Sequence, residues 1–171
     1  MKQIFNNKYV KSFKFISSHE FLYFSNKQIV PRKMFIEESY GDYYYCYIIY
    51  NSLNGEKLFA ISFNSDEKED DLNMLFWNEA GLIVIDTGRK LYFIDNQFDI
   101  KFNLEITTPL IGLCLTEEKD LLILEEASFK LLNSEGKVLK NEIFDLIIDF
   151  NIENNCLHVV TSEEDKTFKL T

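Results

Sequence analysis

The hydrophobic positions of this chain come in short runs parted by turn residues, and no helical period is sustained. Residues 74–95, MLFWNEAGLIVIDTGRKLYFID, show the pattern most plainly: MLFW, LIVI and LYFI stand apart across NEAG and DTGRK. Each run is too short for a helix and rich in β-branched or aromatic residues, so each predicts a strand. YYYCYIIY (43–50) is the strongest strand candidate, and the turn NSLNG (51–55) joins it to KLFAISF (57–63) as a hairpin. Near the N-terminus, YVKSFKFI and EFLYFS read as further strands across a turn at Ser17–His19. Residues 26–42 read as a loop, because Pro31 interrupts strand pairing and Glu37, Glu38, Gly41 and Asp42 are loop formers. KVLKNEIFDLIIDF (137–150) also has a helical reading, with Val138, Ile143, Leu146, Ile147 and Phe150 on one face. Its β-branched content favours strands.

The pattern repeats. Gly81, Asp120 and Asn155 each sit in a turn between two apolar runs, about 35–40 residues apart. MLFW, IGLCL and IIDFNI precede these turns; LIVI, LLIL and CLHVV follow them; LYFI, FKLL and FKL come third. IKFNLEI (100–106) and KVLKNEI (137–143) form a fourth run, and NSLNG at 51–55 is echoed by NSEG at 133–136. This four-run period resembles β-propeller repeats in general, without a Trp-Asp dipeptide or a double glycine of the better-defined propeller types. The resemblance implies an all-β, single domain over 1–171: a small antiparallel propeller-like array of about four units. Strand MKQIF is expected to complete the last unit and cover its edge. A β-sandwich or irregular barrel is the alternative for such regularly spaced hairpins.

Composition adds a charge. The net charge is −10, which disfavours nucleic acid and anionic membrane and favours a basic protein partner. Cys46, Cys114 and Cys156 lie in apolar runs without a C-x-x-C spacing, so they read as buried, reduced thiols. With no secretory or membrane-length apolar run, the expected location is cytoplasmic. The only histidines are His19, in a turn, and His158, inside LHVV; neither has a nucleophile-elbow motif beside it. The chain shows no phosphate-binding glycine loop, and DEKEDD (66–71) lacks the glycine of a calcium-binding loop. The reading is therefore a non-enzyme without cofactor or metal.

If strands alternate in direction, the turns between second and third runs share a rim with the connections between units. Acids outnumber bases about two to one in those segments, which focuses a negative field on one rim. The candidate partner-binding residues are Glu37, Glu38, Tyr40, Asp42, Asp66, Glu67, Glu69, Asp70, Asp71, Glu125, Glu126, Glu163 and Glu164, with Tyr43–Tyr45 bordering them. In general character, a small, acidic domain without a catalytic set is similar to bacterial toxin-immunity proteins. That resemblance implies occlusion of a basic cognate toxin, a nuclease among the candidates, with carboxylates standing in for phosphates. A small-ligand sensor and a structural scaffold are the alternative functions.

Overall fold

Ser17 marks the first departure from an all-strand chain. In the computed structural model, which describes residues 4–5, 7–36, 41–68 and 73–170, the Ser17 side chain accepts a hydrogen bond from the Glu20 amide. It thereby caps helix α1 (Ser18–Lys27). Ser17 and Glu20 have the spacing of a capping box, and Lys27 in the last turn suits the helix dipole. EFLYFS is thus helical where a strand was expected. Its aromatic residues serve a helix face just as well: Phe21 and Phe24, three positions apart, both reach the sheet below.

Contacts divide the chain into two compact units, residues 1–72 and 73–171. The first holds α1 and one sheet made of β1 (Ile4–Phe5), β2 (Lys8–Phe15), β3 (Lys33–Ile36), β4 (Tyr43–Asn51) and β5 (Lys57–Ser65). Its strand order is β1-β2-β4-β5-β3, antiparallel except for β3, which runs parallel to β5. Pro31 confines the irregular backbone to the residues before β3, so KMFI pairs where a continuous loop was expected. The β4–β5 hairpin turns as expected. Asn51 Oδ1 accepts from the Leu53 amide at 2.9 Å, and Gly55 has φ +72°. Phe21, Cys46, Ile48, Tyr50 and Ala60 form the core beneath the helix. Burial pushes the Cys46 thiol above its ordinary pKa.

The second unit follows the predicted repeat closely. β6 (Met74–Trp77), β7 (Leu82–Asp86), β8 (Lys90–Asp95) and β9 (Ile100–Glu105) pair in chain order as a leading sheet. β10 (Leu110–Leu115), β11 (Leu121–Glu125), β12 (Ser128–Leu132) and β13 (Val138–Ile143) form a middle sheet. β14 (Ile147–Glu153), β15 (Cys156–Thr161) and β16 (Asp165–Lys169) form a last sheet of three. Residues 137–150 therefore resolve into two strands around a short connection, and the helical reading falls. The repeating turn is fixed by left-handed backbone at Gly81, Lys119 and Asn155, with φ of +66°, +68° and +55°. Asx caps repeat at the later turns: Asp95 Oδ1 accepts from the Gln97 and Asp99 amides, as Asn133 Oδ1 does from Glu135 and Lys137.

The three sheets stack face to face. Leu121, Ile123 and Leu132 of the middle sheet meet Trp77, Val84, Leu91 and Phe93 of the leading one. On its other face, Leu122, Leu124, Phe129 and Leu131 meet Ile147, Leu157 and Val159 of the last sheet. Phe150 and Phe168 pack against this second cluster, and the Phe129 and Phe168 rings cross edge to face at 5.0 Å. The Trp77 indole donates to the Lys119 carbonyl at 2.8 Å and ties the leading sheet to a middle-sheet turn. Stacking of consecutive, up-and-down sheets makes the fold all-β and propeller-like in this unit, and not a two-sheet sandwich. One expectation fails: β1 pairs with β2, so among the described residues the last sheet keeps three strands.

Gly41 shows how tightly the first unit is built. Its φ is +139°, and a Cβ there would stand 2.5 Å from the Ser65 amide nitrogen, against backbone that cannot swing away. Gly41→Ala is expected to cost about 2–3 kcal/mol, from overpacking added to backbone strain. Gly55→Ala, which has nothing within 4 Å of the new methyl, is expected to cost about 1 kcal/mol. Chemical denaturation of both variants checks this; equal losses would contradict the close approach.

Candidate functional site

The second strand of each sheet in the second unit ends at the same rim, and each ends on a side chain that accepts hydrogen bonds from nearby loop amides. Asp86 Oδ1 accepts from the Gly88 amide at 2.7 Å, and its Oδ2 accepts from Asn73 Nδ2 at 3.3 Å. Thr161 Oγ1 accepts from the Glu163 and Glu164 amides. Between them stands Glu125. Its Oε2 accepts from the Thr107 amide at 2.7 Å, the Thr107 hydroxyl at 2.8 Å and the Thr108 amide at 3.0 Å, while Oε1 pairs with Lys130. Backbone bonds join these turns to the connections between sheets: Ile106 donates to Arg89, Glu126 to Pro109, Phe144 to Ala127 and Ile147 to Glu126. The rim deduced from strand alternation is therefore a hydrogen-bonded edge of the second unit.

Glu125 was expected on the surface and is 1% exposed. It fastens the leading-to-middle connection to the end of β11 and offers no free oxygen to a partner. Burial pushes its carboxyl up, but the Lys130 ammonium and the Thr107 and Thr108 donors outweigh burial and hold it below the ordinary range. Asp86, at the same place one sheet earlier, is buried too. An acid that ends a strand beside unpaired loop amides is drawn inward to satisfy them. Sequence reading alone did not separate these acids from solvated ones; the separating signal is Thr107-Thr108, a pair of donors placed to meet Glu125.

The other candidates divide by location. Glu163 and Glu164 are exposed in the β15–β16 turn, and Glu164 pairs with Lys166. Glu126 is half-buried. Asp42, Asp66 and Glu67 are exposed in the first unit, where the Glu67 carbonyl accepts from the Tyr45 hydroxyl at 2.6 Å. Glu37, Glu38, Tyr40, Glu69, Asp70 and Asp71 lie outside the described residues. Of the bordering tyrosines, Tyr45 is fully buried and Tyr43 lies under the Lys14 ammonium at 3.9 Å, so both are packing residues.

The opposite end of the second unit carries exposed acids as well, including Glu79, Asp99, Glu117, Glu118 and Glu135. Negative charge is thus spread over both ends and is not concentrated on one. At that end a shallow groove of about 440 Å³ is lined by Gly81, Asp95, Lys101, Phe102, Ser134 and Glu135. Asp95 pairs with Lys101 at 2.7 Å, and its carboxyl is held low by that ammonium and by the Asp99 and Gln97 amides. Among the described residues, no three His, Cys, Asp or Glu side chains converge as a metal would require. His158 Nδ1 lies 2.9 Å from Thr167 Oγ1 on the sheet, and His19 is exposed in α1. Among the described residues, no helix is long and apolar enough to cross a membrane.

No protein-family model matches the chain, and no curated protein matches it in sequence. Among solved structures it is similar to a protein of unknown function from Bacteroides caccae, at 12% identity and TM-score 0.46 over 68% of this chain and 48% of that one. It is also similar to BamB from Moraxella catarrhalis, at 12% identity and TM-score 0.48 over 72% and 39%. The WD40 domain of Pan2 from Neurospora crassa is matched at 11% identity and TM-score 0.45 over 72% and 43%. The chain spans less than half the length of each. At these scores the likeness has no weight of its own, and the description of the fold rests on strand pairing and packing.

Glu125 gives this site its clearest test. Glu125→Gln is expected to cost about 3 kcal/mol near neutral pH, because it leaves Lys130 without its counter-ion in a poorly solvated place. The folded pKa is depressed, so the carboxylate's contribution is present above the unfolded carboxyl range and fades as pH falls through the folded value. Urea unfolding of wild type and variant should therefore converge in acid. Equal stability at neutral pH would contradict the fastening role.

Proposed function

We propose that this protein is a non-catalytic interaction module that recognises a basic protein, and more finely that it is an immunity protein occluding a cognate toxin. The observation that carries the reading is a set of exposed carboxylates on hydrogen-bonded turns: Glu163 and Glu164 on one unit, Asp66 and Glu67 on the other. They sit in a chain of net charge −10. Turns held by their own side chains present charge with little ordering cost on binding. The negative surface also hastens encounter with a cationic partner. A toxin that acts on nucleic acid has such a cationic surface, and covering it blocks both phosphate contacts and access. A cytoplasmic site of action goes with this proposal.

The test is a pull-down from the native source at low salt with elution by a salt gradient. A single basic protein released at moderate salt, and toxic when expressed alone, supports the immunity reading; a basic partner without toxicity leaves the interaction module and removes the toxin. Neutralising Asp66, Glu67, Asp70 and Asp71 together to the amides is expected to weaken that complex about tenfold at low ionic strength and to flatten its salt dependence. An unchanged affinity and salt slope would refute the acidic-surface reading.

The groove at Asp95 and Lys101 favours a second reading, a sensor of small polar ligands. It pairs opposite charges beside the Phe102 ring. Thermal shifts with a panel of charged metabolites check it, since a ligand there would raise the melting temperature and Lys101→Ala would abolish the rise.

A further inference from the structure

Charge alone does not choose an end of the second unit, because both ends are acidic. Apolar exposure does choose. The passage from β13 to β14 leaves Ile143, Leu146 and Ile148 at 78%, 49% and 62% exposure. On the opposite end the exposed aliphatic residues, Ile100, Val138, Leu139 and Ile152, reach 39–46%. Of the three only Leu146 lies in the short connection, residues 144–146, where polar turn residues are the rule; Ile143 and Ile148 stand at the strand ends beside it.

The local backbone shows how these side chains come to face water. The Phe144 amide donates to the Ala127 carbonyl and the Ile147 amide to that of Glu126, so the connection is pinned to the β11–β12 turn on both sides. Ile147 pairs with Thr161 and Asp149 with Val160, and the register shift between them leaves Ile148 without a partner in the ladder. Ile147 enters the core while Ile148 stays outside. A bulge of this kind re-aims one side chain while its neighbours keep pairing. Around the aliphatic residues lie exposed acids: Asp145 within the connection, Asp149 after the bulge, and Glu163 and Glu164 in the turn that follows Thr161.

We infer that Ile143, Leu146 and Ile148 are the apolar anchor of an interface, and that its occupant is a lysine- or arginine-rich protein segment bearing aliphatic or aromatic side chains. The inference rests on the interaction-module reading and gives it a location. An apolar centre within a charged border is the arrangement of a protein-binding surface. The surrounding carboxylates select a cationic border on the partner. A second copy of this chain is disfavoured, since it would bring the same acids against each other at a net charge of −10 on each molecule. An anionic membrane is disfavoured for the same reason.

The full chain is titrated with a fluorescent synthetic helical peptide carrying leucines on one face and lysines on the other, over a range of salt. Wild type should bind it, and Leu146→Ser with Ile148→Ser should weaken binding about tenfold while leaving the slope of log affinity against log salt unchanged. Glu163→Gln with Glu164→Gln should lower that slope. Leu53→Ser, at a residue 79% exposed in the first unit, should bind as wild type does. The anchor is overturned if the double serine variant keeps its affinity, if Leu53→Ser loses as much, or if wild type fails to bind. Salt-dependent binding untouched by the serine substitutions would remove the anchor and leave the acidic-surface reading in place. Equal affinity for a peptide with glutamate in place of lysine would remove both.

Discussion

The middle sheet of the second unit is apolar on both faces, and the rest of that unit depends on this. Leu121 and Ile123 project to one side of β11 while Leu122 and Leu124 project to the other, each pair into its own core. A strand buried on two faces cannot alternate apolar with polar, which is why LLIL reads as a continuous run. Neither neighbouring sheet can leave without exposing one of those faces. Gly136 shows how close the layers come, since a Cβ there would stand 2.9 Å from the Phe102 ring of the leading sheet. Lys140 of β13 donates to the Lys169 carbonyl and joins the middle sheet to the last.

A frame locked from within leaves its rim free to carry function, and the rim turns are built by local hydrogen bonds. At the same position Asp86 and Thr161 hold the turn that follows their strand, while Glu125 fastens the connection between the leading and middle sheets. Exposed at the rim stand Asp145, Glu163 and the aliphatic residues of the β13–β14 passage, beside Asp149, which accepts from the Phe150 amide, and Glu164, which pairs with Lys166. Loops on rigid scaffolds are where binding groups accumulate.

Much of the second unit was legible in the sequence. Its strands, turns and period were set by local chemistry: apolar runs too short for helices, and turn residues able to take left-handed backbone. The first unit was less legible because aromatic residues suit both a strand and a helix face. EFLYFS became α1 through the Ser17–Glu20 cap, a signal present in the sequence and outweighed there by aromatic content. KMFI became β3 although Pro31 stood near, since proline bars pairing only at its own position. Among the site residues, exposure of Glu163, Glu164, Asp66 and Glu67 agreed with their turn positions, while Glu125 did not. Its burial depends on Thr107 and Thr108, brought to it by the packing of two sheets, and no local pattern announces that. The Ile148 bulge was equally hidden, because a one-residue slip in register is decided across strands.

Packed on both faces of the middle sheet, the three sheets of the second unit form one cooperative frame, with the rim as its presented surface. Native-state hydrogen exchange of the full chain, followed with increasing urea, tests it directly. Amides of β7, β8, β11, β12 and β15 should open together at one shared free energy, with the rim turns exchanging faster. Exchange of β15 through its own lower opening, independent of β11 and β12, would contradict it.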